Sequence, residues 1–212
     1  MTRTSDDYTS AQLEYGPVYA YFQALTRHVN ALDVLEKDEH SSDFIFTIEL
    51  LHYTVLEMSL KLIHALCYVH STWDRLPSTQ DALHDLIYNK LKDGNHRLDT
   101  ILTSCLTYDN EDIQQLRDVT IEFQSNQPAG NFYLVKFDDT EVTLNDSFST
   151  RFPGFGRGGG EVSVVWVMPK RRTVIDAVFK VAHSLCNSYR ARAYSGASTQ
   201  SSSKRQDTDC LI

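Results

Sequence analysis

The chain has four cysteines in 212 residues and no Cys-x-x-Cys pair. Cys67, Cys105, Cys186 and Cys210 lie too far apart in sequence for a zinc ribbon or a redox dithiol. The pattern predicts reduced thiols, with the first three packed as small hydrophobes. No run of about eighteen or more uncharged apolar residues occurs, because Glu49, Glu57 and Lys61 interrupt the best candidate, so no membrane span is expected. The opening segment, MTRTSDDYTS, has no apolar core of a secretory signal, which makes a cytoplasmic location the default expectation. The ending Asp-Cys-Leu-Ile places two residues after Cys210, one fewer than a prenylation box needs.

Catalytic and nucleotide motifs are missing too. There is no GxSxG, no HExxH and no Gly-Lys-Ser/Thr, so serine-hydrolase, zincin and Walker-type chemistry find no support in spacing. Gly154, Gly156 and Gly159 formally satisfy GxGxxG, but the dinucleotide motif needs a strand before it and a helix after it. Here a strand-like run follows instead, and the stretch reads as a loop. Arg151 and Arg157 flank it and are candidates to hold an anion in a backbone nest. His64 and Cys67 share a helical face, yet no second pair with matching spacing completes a metal site, and neither a metal nor a cofactor is expected. No internal repeat is found.

What the chain does have is one long apolar helix pattern. From Phe44 to His70, Phe44, Ile48, Leu51, Val55, Leu62 and Leu66 recur at helical steps, as expected of a helix burying one face. Glu57, Lys61 and His64 share a stripe along it. At Glu57 and Lys61 the spacing suits an intrahelical ion pair, worth a few tenths of a kcal/mol if exposed. Inside a bundle, such a pair would need compensation and would mark a site or a fixed interface.

The other elements arrange around this one. Pro17 suits a first helical turn, and Val18, Phe22, Leu25, Val29, Leu32 and Leu35 continue a stripe to about Lys37. Ser41, Ser42 or Asp43 is the expected cap of the second helix, which runs to about Ser71. After the break at Pro77, with Thr79 as cap, Leu83, Leu86, Ile87 and Leu91 form one face closed by Gly94, and Leu98, Ile101, Leu102 and Cys105 form another. A further helical stripe is predicted from Asn110 to Phe123. Asn131–Phe137, Glu141–Leu144 and Glu161–Met168 are strand-like. A last helix is predicted over Thr173–Tyr194, and the Ser-rich remainder is expected to be disordered. The expected fold is mainly α: an antiparallel helical bundle over residues 1–194 with a small β insertion at about 130–170, before the last helix, and a polar tail from 195 to 212.

The formal charge of −8 is unevenly distributed. Residues 1–150 carry 10 Lys and Arg against 24 Asp and Glu, whereas residues 151–212 carry 10 against 4. Mutual attraction within the fold or across a dimer explains this, and an anion-binding face explains it as well. Lys170-Arg171-Arg172 places three cations at the start of the last helix, against the helix dipole, so an acidic patch of the chain or a phosphate should compensate them.

Two segments carry a family resemblance. Ile48-Glu-Leu-Leu-His-Tyr-Thr-Val-Leu-Glu-Met-Ser-Leu-Lys-Leu62 resembles the second helix of HEPN domains, where an acidic residue and a lysine recur in an apolar helix. Gly94-Asn-His-Arg-Leu-Asp-Thr-Ile-Leu102 is similar to the short Gly-His-x-Leu…Leu segment that opens the family's next helix. The resemblance covers about residues 17–125 and 173–194. It implies an up-and-down helical bundle, commonly dimeric, in a family with many metal-independent ribonucleases of bacterial conflict systems. Those enzymes use Arg-x4–6-His, and no arginine of this chain is followed by a histidine at that spacing. The closer match is therefore to the non-catalytic, binding-type members.

The leading expectation is a HEPN-like binding or assembly module, homo-oligomeric, in a defence or toxin–antitoxin type of system. Its candidate partners are RNA or a nucleotide, or another protein. Lys61, Arg151, Arg157, Lys170, Arg171 and Arg172 are the candidate binding residues. The alternative is an RNA-cleaving or nucleotide-modifying enzyme, with Glu57, His96 and Arg97 as candidate catalytic residues. A third reading is a structural subunit whose strands extend a partner's sheet.

Overall fold

A computed structural model describes residues 16–77, 80–94, 96–124, 132–137, 140–144 and 168–203. Helix α1 spans Pro17–Lys37, with Pro17 in the first turn, where its missing N–H costs nothing, and Lys37 in the last turn, where a cation suits the dipole. Val18, Leu25, Val29 and Leu32 form its buried face. A 3-10 turn over Ser41–Phe44 leads into α2, Ile45–Ser71. The expected side-chain cap at 41–43 is not what starts α2. Phe44 occupies the cap position with no side-chain hydrogen bond, and the 3-10 turn feeds the chain directly into the helix. At the other end, the Thr72 N–H and hydroxyl both donate to the Tyr68 carbonyl, at 3.0 and 2.7 Å.

The 27 residues of α2 make it about 40 Å long, and every residue from Ser59 to Cys67 is buried. A helix enclosed on all sides must be central, and α1, α3, α4 and α6 pack around it. Helix α3 covers Gln80–Lys92 and α4 Leu98–Cys105, so the two apolar faces belong to two helices rather than one kinked one. Between them Gly94 takes φ +77°, and a Cβ there would lie 2.5 Å from Cγ1 of Ile101. Both the left-handed backbone and the close approach require glycine.

The stripe from Asn110 to Phe123 is not one helix. The Asn110 side chain caps the short α5, Glu111–Gln114, by accepting from the Asp112 N–H at 2.8 Å. Successive i-to-i+3 turns then bury Ile113, Leu116 and Val119 at three-residue intervals, which reproduces a helical stripe without a helix. The alternating Thr120-Ile-Glu-Phe-Gln124 becomes strand β1. Its backbone pairs antiparallel with β2, Phe132–Phe137, and β2 with β3, Thr140–Leu144, in the order β1-β2-β3. In the backbone register Ile121 is the partner of Val135, and Val135 of Val142. The predicted strand at 161–168 lies outside the described residues except for Met168, which is helical.

The last helix, α6, spans Met168–Ser203 and passes both expected ends. Pro169 sits in its first turn, where proline is tolerated. Helix continues from Ser195 to Ser203, where the Ser-rich composition predicts none. Together α1–α6 form a mainly helical bundle around α2, and no described helix is long and apolar enough to cross a membrane.

Candidate functional site

The polar line on α2 faces the turn between α3 and α4. Tyr53, Glu57 and Lys61 follow at four-residue steps and so share one side. One carboxylate oxygen of Glu57, Oε1, receives Lys61 Nζ at 2.7 Å and His96 Nδ1 at 2.8 Å. The Tyr53 hydroxyl donates to the His96 carbonyl at 2.9 Å, so backbone and ring of His96 are both held by α2. Gly94 makes this possible by turning the chain back over the central helix. The Glu57 and Lys61 side chains are each only 11% exposed, while His96 is 69% exposed. Tyr21 also neighbours the pair, since burial and then the Glu57 charge raise its hydroxyl pKa.

Further along the stripe, His64 Nε2 lies 3.4 Å from Asp93 Oδ2, which also binds Lys90 Nζ at 2.8 Å. Burial lowers the His64 pKa and outweighs the opposing pull of Asp93. For Asp93, burial works against ionisation, but hydrogen bonds from Lys90 and His64 hold its carboxyl below the ordinary range. Arg97, by contrast, leaves this line and pairs with Asp99 at 2.9 Å on the surface.

A second polar assembly joins three helices. Arg172 at the start of α6 reaches Glu36 and Asp33 of α1 at 2.8 and 2.5 Å, and Asp176 one turn along α6 at 2.6 Å. Glu36 in turn holds the fully buried His52 of α2, Oε1 to Nε2, at 2.7 Å. Burial opposes ionisation of Glu36, yet His52 and Arg172 together hold its carboxyl below the ordinary range. The acidic part of the chain thus compensates a cation of the Lys170–Arg172 cluster without a phosphate. Arg171 is buried at 1% exposure and engaged, and the Lys170 side chain, Arg151 and Arg157 lie outside what is described.

The candidate residues therefore separate into groups. Glu57, Lys61 and His96 come together, Arg97 stands beside them on its own partner, and Arg172 belongs to the separate cluster around Glu36 and His52. Sequence reading missed Asp33, Glu36 and His52, although Arg172 and Asp176 carry the i, i+4 spacing of an ion pair. Tyr53 was missed because its partner is a backbone carbonyl 43 positions away.

Chemically, a carboxylate on Nδ1 orients an imidazole. The Glu57–His96 pair could pass a proton at Nε2, but the described residues bring no nucleophile to it. Cys67 and Cys186 are pushed up to about 12 and about 11 by burial, and the buried Cys105 is also raised, so these thiols are unreactive. Among the described residues, no group of three His, Cys, Asp or Glu is placed to hold a metal ion. No protein-family model, curated protein or solved structure matches the chain.

Proposed function

We propose that the chain is a non-catalytic binding or assembly module of HEPN-like character, serving a prokaryotic defence or toxin–antitoxin type of system. One observation carries the non-catalytic part: the buried carboxylate of Glu57 is engaged at a single oxygen by both Lys61 and His96. A working acid or base needs a group directed at substrate in a concave site. Here the ionisable line on the central helix ties the α3–α4 turn to α2. Arg172 likewise joins α6 to α1. Interhelical ties of this kind hold a rigid scaffold, and a rigid scaffold presents a surface to a partner.

The second reading, an RNA-cleaving enzyme, draws on the exposure of His96 with its Nδ1 on a buried carboxylate. Incubation of the unmodified protein with mixed RNA, beside Glu57→Ala, His96→Ala and Arg97→Ala, decides between them. The expected result is intact RNA in every sample. Cleavage by the unmodified protein that disappears in His96→Ala would overturn the non-catalytic reading.

A further inference from the structure

We infer that the seam between α1 and α6 is a binding surface for single-stranded nucleic acid; this gives the binding-module reading a ligand class and a place. In a chain of formal charge −8, the seam is unusual in having no acid over long stretches of both helices. From Pro17 to Leu32, α1 has no Asp or Glu; from Ala177 to Ser203, α6 has none, and its side toward α1 carries Lys180, His183 and Arg190. Asp176, the last acid before that stretch, is held by Arg172. Lys180, His183, Asn187 and Arg190 recur at three- and four-residue steps, so they form one line along α6.

Aromatic rings interleave with these cations. His183 is exposed and its ring lies 5.5 Å from Phe22 and 6.3 Å from Phe179, with interplanar angles of 22° and 18°. Phe22 and Phe179 are themselves within 4° of parallel. Two turns along, Arg190 lies over the Tyr19 ring at 5.5 Å. Phe22 and Phe179 are partly buried and back the exposed His183 ring, which supplies a face on which a base stacks whatever its sequence. A guanidinium lying on a ring keeps its N–H edges along the surface, where phosphate oxygens run. Duplexes keep their bases stacked on one another, so this surface selects single strands.

The test uses the full chain and a fluorescein-labelled oligouridylate of about twelve nucleotides, followed by anisotropy over a range of salt concentrations. Oligothymidylate, an RNA duplex of equal length and polyglutamate serve as competitors. We expect oligouridylate to bind and oligothymidylate to compete, with duplex and polyglutamate at least about tenfold weaker. Lys180→Ala/Arg190→Ala should weaken binding about tenfold and reduce the salt slope by roughly 1.4, the value for two lost phosphate contacts. His183→Ala should weaken binding several-fold and leave that slope unchanged. Both variants alter residues at the bundle surface, and circular dichroism checks that they fold. Absence of binding, binding indifferent to the three substitutions, or equal competition by polyglutamate would each overturn the surface. Cleavage of the bound strand would instead overturn the non-catalytic reading and leave the surface standing.

Discussion

Arg172 Nη1 lies 2.8 Å from Glu36 Oε2, although 136 positions separate them in sequence. The guanidinium also binds Asp33 and Asp176, so one side chain bridges three carboxylates at the junction of α1 and α6. Replacing it leaves Asp33 and Asp176 without this cation and Glu36 with His52 alone. Arg172→Met should therefore cost about 1–3 kcal/mol in urea unfolding, since these groups are only partly buried. Asp176→Asn, which removes the most exposed of the three contacts, should cost less than about 1 kcal/mol. Equal losses in the two variants would refute the clamp.

The central helix was legible because period and burial agree: a residue such as Leu62 or Leu66 is apolar, falls on the stripe and is fully buried. The segment after Asn110 was misread for a definite reason. Ile113, Leu116 and Val119 recur at three-residue steps that a run of 3-10 turns shares with an α-helix, and periodicity alone does not separate the two. Glu57 and Lys61 could be paired from sequence, because four-residue spacing is local information. His96 joins them only through the turn at Gly94, and Glu36 meets His52 and Arg172 only through tertiary packing. Long-range partners of this kind leave no periodic trace in a single sequence.

Glu57 and Lys61 should not be equivalent. Without Glu57, the buried Lys61 ammonium loses its carboxylate; without Lys61, Glu57 still holds His96. Glu57→Ala should cost about 3–5 kcal/mol, and Lys61→Met clearly less. The double variant should be more stable than Glu57→Ala alone, because it removes the stranded charge. Urea midpoints of the four proteins give the comparison. A double variant no better than Glu57→Ala would show that Lys61 does not need its partner.

Acid should unfold the protein in two stages. His64 and His70 both titrate below the ordinary 6.5, mainly because burial disfavours the imidazolium. The unfolded chain takes up those protons near 6.5 and the folded chain only at lower pH, so stability present above about 6.5 falls as pH drops below it. Glu36 and Asp93 are also depressed, from 4.5 and 3.8, by their hydrogen-bonded cations overcoming burial. Their contribution is present above those ordinary values and is lost as pH falls through the lower folded ones. Urea midpoints measured from about pH 8 to about pH 3 should show both declines, and His70→Gln, which touches neither Glu36 nor Asp93, should flatten only the upper one. A midpoint unchanged between about pH 8 and about pH 5.5 would contradict the histidine assignment.

Gly94 carries the turn that brings His96 to Glu57, and two physical costs there can be separated. Its φ of +77° strains any residue with a Cβ by about 1–2 kcal/mol, and that Cβ would meet Ile101 Cγ1 at 2.5 Å. Overlap with a packed core side chain costs about 1–3 kcal/mol more. Gly94→Ala should thus lose about 2–5 kcal/mol. Asn tolerates left-handed backbone better than Ala but carries the same Cβ. If the overlap dominates, Gly94→Asn should be nearly as damaging as Gly94→Ala, and both should displace His96 and abolish the nuclear Overhauser contact between its ring and the Glu57 side chain. Near-native stability for Gly94→Asn would show instead that Ile101 gives way and that backbone strain alone requires glycine.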